Sequence, residues 1–201
     1  MPKQIKKNLN KPSKPGSLGS VRLISGKYRG RKLPVILAKG LRPTTDRVKE
    51  TVFSWLMPYM HNSRCLDCFA GSGSLGFEAL SRGANEVTLL ELNRQAAEQL
   101  KKNKALLKAD NLTIHQTDSL EFLQNPITCF DIVFIDPPFN KELVDQAISR
   151  LNDGWLADNA IIYIEMEQNG QFNIPKNWSL LKEKTAGQVA YRLFEKNNEE
   201  D

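Results

Sequence analysis

Histidine is nearly absent, with only His61 and His115 in 201 residues, and cysteine is little commoner at three. Tetrahedral zinc sites draw on sets of four such side chains at short spacings, and no set of that kind can be assembled here, so no metal is expected. By spacing alone the Cys65-x-x-Cys68 pair suggests redox chemistry. Both residues fall in the apparent strand Arg64-Cys65-Leu66-Asp67-Cys68-Phe69, where side chains three apart point to opposite faces, so a disulfide would require the strand to break. Buried free thiols in a reducing compartment are the expectation. Long apolar runs are missing as well. Nothing approaches the roughly 18 residues of a membrane span, and charges occupy the N-terminal stretch where a secretion signal would be apolar. A soluble cytoplasmic protein without a membrane partner is expected.

Acidic side chains are missing locally. Of the 28 Lys and Arg, 14 lie in residues 1–49, where Asp46 is the single acid, so this segment carries +13. The remainder, with 14 basic and 22 acidic residues, carries −8 within an overall +5. A basic appendage beside an acidic body suits a polyanionic partner, because Lys and Arg that neutralise phosphates release counterions. With 40% hydrophobic residues, the chain can bury one main core. Residues 1–17, dominated by Pro, Lys, Asn, Ser and Gly, read as a disordered basic tail.

Residues 18–60 read as a basic hairpin and a helix. Val21-Arg22-Leu23-Ile24 and Arg31-Lys32-Leu33-Pro34-Val35 are short strand candidates around Ser25-Gly26-Lys27-Tyr28-Arg29-Gly30. After Thr44-Thr45-Asp46, which can cap it, a helix is expected to present Val48, Val52, Trp55, Leu56 and Tyr59 on one face and to end near Pro58. Residues 61–195 form the main unit, followed by a short acidic tail at 196–201. Apolar runs at 64–69, 87–91, 112–116, 131–136 and 160–165 alternate with helix-favouring stretches, which predicts an α/β fold with a mainly parallel sheet covered on both faces. Ser179 to Lys184 and Val189 to Phe194 read as a closing antiparallel hairpin.

Between the first of these strands and its helix lies Phe69-Ala70-Gly71-Ser72-Gly73-Ser74-Leu75-Gly76. Glycines at that position permit a tight turn and close approach of a ligand to the backbone. Glu91 stands 20 residues beyond Gly71 at the end of the next strand, where a carboxylate can accept from ribose hydroxyls. A nucleoside cofactor is therefore expected. Gly71-x-Gly73-x-x-Gly76 also satisfies the dinucleotide pattern, so an NAD-dependent oxidoreductase competes with an S-adenosylmethionine enzyme. Asp67 favours the second, since a carboxylate there would attract a ligand ammonium and repel a pyrophosphate; it could equally be a carboxylate bonded to loop amides. Asp118 follows the third strand and reads as a helix N-cap that could also accept from an adenine amine.

The most specific feature is Asp136-Pro137-Pro138-Phe139, directly after the strand Phe130-Asp131-Ile132-Val133-Phe134-Ile135. This places it at the carboxyl edge of the sheet, where open α/β folds bind ligands. An amine on an aromatic base is a poor nucleophile because its lone pair is delocalised. Asp136 can accept one N–H and the Pro137 carbonyl the other, aiming that lone pair at an electrophilic methyl group, with Phe139 stacked on the base. A base held in a duplex could not reach such a pocket, so the target is expected to be unpaired or flipped out.

With these motifs in order, the sequence resembles the class I S-adenosylmethionine methyltransferases that carry Asp/Asn-Pro-Pro-Tyr/Phe. Adding Arg42-Pro43-Thr44-Thr45-Asp46-Arg47-Val48-Lys49-Glu50, Leu66-Asp67-Cys68-Phe69-Ala70-Gly71-Ser72-Gly73 and Gly187-Gln188-Val189-Ala190-Tyr191-Arg192, it is similar to the RsmD-type bacterial small-subunit rRNA guanine-N2 methyltransferases over residues 20–195. The resemblance implies a Rossmann-like seven-stranded sheet with an antiparallel last strand, helices on both faces and a small N-terminal hairpin. It implies S-adenosylmethionine as cofactor, S-adenosylhomocysteine as product, and 16S rRNA in the small ribosomal subunit as partner of a monomeric enzyme. Asp67, Phe69, Ala70, Gly71, Ser72, Gly73, Glu91, Leu92, Asp118 and Ser119 would bind the cofactor, and Asp136, Pro137, Pro138 and Phe139 would hold the guanine. Arg22, Lys27, Arg29 and Arg31 would contact RNA phosphates, with Arg42, Thr44, Thr45 and Arg47 near the mouth of the site. An adenine-N6 methyltransferase acting on RNA or DNA fits the same motif, and a non-catalytic RNA-binding assembly factor is the alternative outside enzymes; the intact Asp136 motif argues against the latter.

Overall fold

The strand candidates from Arg64 onward assemble into one seven-stranded sheet. The computed structural model describes residues 18–36, 46–138 and 141–197, so Arg42, Thr44, Thr45, Phe139 and the tail expected at 1–17 lie outside the described residues. Strands β3 (Arg64–Asp67), β4 (Glu86–Glu91), β5 (Leu112–Gln116), β6 (Phe130–Ile135) and β7 (Leu156–Glu167) are parallel, and β8 (Trp178–Ala186) and β9 (Val189–Lys196) close the sheet. The spatial order is β5-β4-β3-β6-β7-β9-β8, with β9 antiparallel to both of its neighbours. The reversed last strand is thus inserted between β7 and β8. Gly187, at φ 63°, makes the tight turn between β8 and β9.

Chain order reverses between β3 and β6, since β4 and β5 build outward on one side and β7 on the other. The loops after β3 and β6 therefore leave the sheet side by side, which is where an open α/β sheet has a crevice. Two cores cover the sheet. On one face Cys65, Phe134 and Tyr163 pack with Val52 and Phe53 of α1 (Asp46–Met60), Phe77 of α2 (Ser74–Ser81) and Leu100 of α3 (Arg94–Leu107). On the other, Leu66, Cys68, Val133 and Ile164 meet Val144 and Ile148 of α5 (Lys141–Asn152), beyond the short α4 (Ser119–Phe122). The strand expected over 64–69 ends at Asp67, with Cys68 in the turn after it; Cys65 and Cys68 still fall in different cores, and both are free thiols. No helix of the described residues is long and apolar enough to cross a membrane.

The N-terminal strands are β1 (Leu18–Arg22) and β2 (Lys32–Ile36), an antiparallel pair. Leu23 and Leu33 join the first core, and the hairpin is bolted down by polar contacts. Fully buried Glu78 accepts from the Ile24 amide at 2.9 Å, the Ser25 amide at 3.1 Å and Arg82 Nε at 2.7 Å. Lys49 Nζ donates to the Arg22 carbonyl at 2.7 Å and lies 4.0 Å from Glu78. At Gly26, with φ 77°, a Cβ would lie 1.7 Å from the Ser81 carbonyl oxygen, so only glycine permits this contact with the end of α2.

Helix α1 differs in detail from its sequence pattern. Its buried residues are Lys49, Val52, Phe53, Leu56 and Met60, whereas Tyr59 is exposed. Lys49 belongs to the polar fastening beneath the hairpin, a role that apolar periodicity cannot register. The helix also runs two residues past Pro58. A proline in the last turn removes one backbone bond there and does not force an earlier stop.

Candidate active site

Acidic side chains collect on the α1 face at the carboxyl edge of the sheet. Asp67 ends β3 opposite Phe134 of β6, and Asp136 follows β6 by one residue. Ile135 pairs in parallel with Ile164, so the next residues, Asp136 and Glu165, are neighbours. By alternation Asp136 faces the same way as Phe134, and Glu165 the same way as Tyr163, both of which belong to the first core. Tyr191 of β9 is the register partner of Glu165. Its ring lies 5.6 Å from that of Trp55 in α1.

The glycine loop is tied to the sheet edge. Gly71 and Gly73 adopt φ 52° and 74°, and the Gly71 amide donates to Glu91 Oε2 at 2.7 Å, tying the loop to the end of β4. Glu91 Oε1 accepts from the Asn93 amide at 2.6 Å. Each carboxylate oxygen keeps a further lone pair for a ribose hydroxyl. Asp67 Oδ2 accepts from the Gly76 amide at 3.1 Å, so the loop-amide alternative is present in the structure. Burial pushes its carboxyl up to about 7, against the Gly76 and Phe69 amides that hold it down. Among the described residues no cation pairs with Asp67, which leaves a buried acceptor suited to a ligand ammonium. Ser72 and half-buried Phe69 border the loop, Ala70 is buried beneath it, and Leu92 stands exposed beyond Glu91.

Asp118 caps α4, its Oδ1 accepting from the Leu120 amide at 2.7 Å and the Glu121 amide at 3.1 Å. Buried Ser119 donates its hydroxyl to the Cys68 carbonyl, which joins α4 to the end of β3. The cap reading of Asp118 is thus seen directly, and its place beside the glycine loop's strand leaves the adenine role compatible.

Asp136 lies against Glu165 and Asp67, and burial together with those two charges holds its carboxyl well above the ordinary range. Pro137 is buried and Pro138 exposed. The Tyr163 hydroxyl donates to Glu165 Oε2 at 2.7 Å. Burial raises the Glu165 carboxyl and this hydrogen bond opposes it. The sequence singles out neither Glu165 nor Tyr163 as a site residue, and Tyr191 stands there only within the Gly187-to-Arg192 motif. The available signal was an acid closing the apolar run Ile161-Ile162-Tyr163-Ile164 at the same sheet edge as Asp67, Glu91 and Asp136.

The basic residues divide into two groups. Arg47, exposed in the first turn of α1, adds its charge near the Tyr191 hydroxyl. Exposed Arg22, Lys27, Arg29 and Arg31 ride on the hairpin, whose Gly26-to-Tyr28 loop docks on Ser81 at the end of α2. That helix runs back from the glycine loop, so Lys27, Arg29 and Arg31 sit toward the opposite end of the sheet.

A reversed-strand α/β sheet, a glycine loop closed by Glu91 and an Asp-Pro-Pro turn at the switch point together define a class I, Rossmann-like methyltransferase fold. The family model described as Conserved hypothetical protein 95 matches residues 21–195. Ribosomal RNA small subunit methyltransferase D of Haemophilus influenzae is 55% identical over 192 residues, covering 93% of this chain and 100% of that protein. Its Escherichia coli counterpart of the same name is 53% identical, covering 94% and 96%. The solved structure of the Escherichia coli yhhF protein superposes with a TM-score of 0.83 at 53% identity, covering 89% of this chain and 99% of that one. The chain belongs to the ribosomal RNA small subunit methyltransferase D family.

Proposed function

We propose that this protein transfers a methyl group from S-adenosylmethionine to the exocyclic N2 amine of a guanine in 16S rRNA of the small ribosomal subunit, acting as a cytoplasmic monomer. The observation that carries the reading is Asp136, an acid beside two prolines at the switch point, enclosed with Asp67 and Glu165 and paired with no cation among the described residues. The donor set fits the cofactor. Asp67 offers a buried acceptor to the ammonium, Glu91 accepts from the ribose, Asp118 and Ser119 border the adenine position with Leu92, and Gly71 to Gly73 with Phe69 and Ala70 line the approach.

When bound, S-adenosylmethionine supplies a methyl group activated by a sulfonium, and transfer needs no metal. Asp136 accepts one N–H of the target amine and the Pro137 carbonyl the other, which frees the nitrogen lone pair for in-line attack. As the N–C bond forms and the sulfonium S–C bond breaks, which would leave neutral S-adenosylhomocysteine, nitrogen acquires positive charge and would shed a proton to Asp136. A carboxyl held above its ordinary range is a stronger base for that step, and such proton acceptance contributes about 10²- to 10⁴-fold. Phe139 would stack on the base. Arg47 with Arg42, Thr44 and Thr45 would guide RNA at the mouth of the site, while Arg22, Lys27, Arg29 and Arg31 suit phosphates of a substrate large enough to span the molecule.

The test is incubation with radiolabelled S-adenosylmethionine and small subunits from cells lacking this protein, followed by digestion of the RNA to nucleosides. Label in N2-methylguanosine is expected, and label in methyladenosine or methylcytidine would refute the guanine assignment.

A further inference from the structure

The proposed chemistry uses Asp136 and leaves its neighbour idle. Asp136 and Glu165 each follow directly on the last in-register pair of β6 and β7, Ile135 and Ile164, and the charge of Glu165 acts on Asp136, as expected for side chains about one strand spacing, ~4.8 Å, apart. Glu165 Oε2 is fixed by the Tyr163 hydroxyl at 2.7 Å, while no donor among the described residues reaches Oε1 and no cation among them pairs with the carboxylate. On β9 the register partner of Glu165 is Tyr191, and the adjacent Arg192 lies opposite Ile164 on the other face of the sheet, where Glu183 engages it at 2.7 Å. The site thus presents two acceptors side by side, one of them clamped in orientation.

Amine-bearing bases differ in what lies next to the amine. Guanine places N1–H beside its N2 amine, two donors in a row. Adenine places the bare N1 lone pair beside its N6 amine, and cytosine the bare N3 beside N4, a donor next to an acceptor. Paired carboxylates complement the first pattern, and in the other two they set a lone pair against a carboxylate oxygen. Discrimination of this kind is strong because the mismatched group is left buried and unpaired.

We propose that Glu165 selects guanine, its Oε1 accepting N1–H of the target base while Asp136 accepts from the amine, with Tyr163 holding Glu165 in place. This rests on the proposed amine methylation. A proton on Glu165 would turn it into a donor and admit adenine; burial favours that proton and the Tyr163 hydroxyl opposes it, so the hydroxyl preserves the accepting form.

The test uses the full-length protein and small subunits whose target guanine, first located by labelling, is replaced by 2-aminopurine, which keeps the N2 amine but has a lone pair at N1. Wild-type protein is expected to favour guanine by about 10- to 100-fold in kcat/KM. Glu165→Gln should slow guanine methylation and shrink that preference to within about threefold, because an amide can present either a donor or an acceptor. Comparing the two proteins cancels any contribution from O6, which 2-aminopurine also lacks. Tyr163→Phe keeps the ring in the core and should narrow the preference less. Both variants should retain the rise in melting temperature caused by S-adenosylmethionine, showing a folded and loaded protein. Equal wild-type rates on the two bases would overturn the proposal with no variant needed. An undiminished preference in Glu165→Gln, with both rates lowered alike, would overturn it too. Label on an amine other than guanine N2 in the first step would overturn the functional reading itself, before any analogue is used.

Discussion

The molecule draws acidic side chains out of water in two places, fully at Glu78 and Asp67 and by half at Asp136 and Glu165, and treats the two places oppositely. Under the hairpin, Glu78 is surrounded by two backbone amides, Arg82 and Lys49, and Lys49 in turn donates to the Arg22 carbonyl. Burial lowers the Lys49 ammonium and the charge of Glu78 opposes that. At the carboxyl edge of the sheet, Asp67, Asp136 and Glu165 crowd together without a cation among the described residues, and all three carboxyls are raised. A buried charge with every partner in place works as a fastener. Like charges crowded together without a cation, Asp67 buried and Asp136 and Glu165 half-buried, cost stability, a cost that the proposed cationic cofactor and hydrogen-bond-donating base would offset.

The largest effect that would break this contrast is at Asp136. Asp136→Asn should lower methyl transfer about 10³-fold while leaving thermal stability unchanged or raised, because it removes an uncompensated charge. Single-turnover rates and a melting curve check this; a large drop in melting temperature would place Asp136 with the fasteners. Next in size is Glu78→Gln, which strands Lys49 and Arg82 without their carboxylate and should cost about 3 kcal/mol of stability. For a chain of this length that is a fall of roughly 6–12 °C in melting temperature. A fall below about 2 °C would show that the network under the hairpin contributes little.

The sequence carries these two regions unequally. Strand order could not be read from apolar runs, yet the runs located every strand of the main sheet, and the glycine loop, Glu91 and Asp136 were legible because each follows an apolar run at the sheet edge where ligands bind. Glu165 was not, since an acid closing an apolar run looks like any solvent-facing residue until the pairing of Ile135 with Ile164 brings the next residues, Asp136 and Glu165, together. Lys49 and Glu78 were invisible for a related reason. Apolar periodicity assigns charge to the surface, and only the docking of Ile24 and Ser25 onto α2 turns Glu78 inward. Gly26 likewise looked like an ordinary turn residue, although its missing side chain is what lets the hairpin touch Ser81.

The smallest of the expected effects is a pH dependence at Asp67, and it separates the two kinds of buried acid most directly. Burial holds the folded carboxyl at about 7, whereas the unfolded chain releases that proton near pH 4. Between those values the folded state binds more protons, so this group makes the ligand-free protein less stable as pH rises through the window. Asp67→Asn should remove that decline, and its melting temperature should exceed that of wild type at pH 8 by more than at pH 5. A ligand ammonium requires the ionised carboxylate, so below pH 7 binding of S-adenosylmethionine must expel one proton, and affinity should weaken about tenfold per pH unit, or about 1.4 kcal/mol. Calorimetric titration at pH 6 in buffers of different ionisation enthalpy would count that proton. Affinity independent of pH, with no proton released, would mean that the amides of Gly76 and Phe69 already satisfy Asp67, and would move it from the cofactor's side of the comparison to that of Glu78.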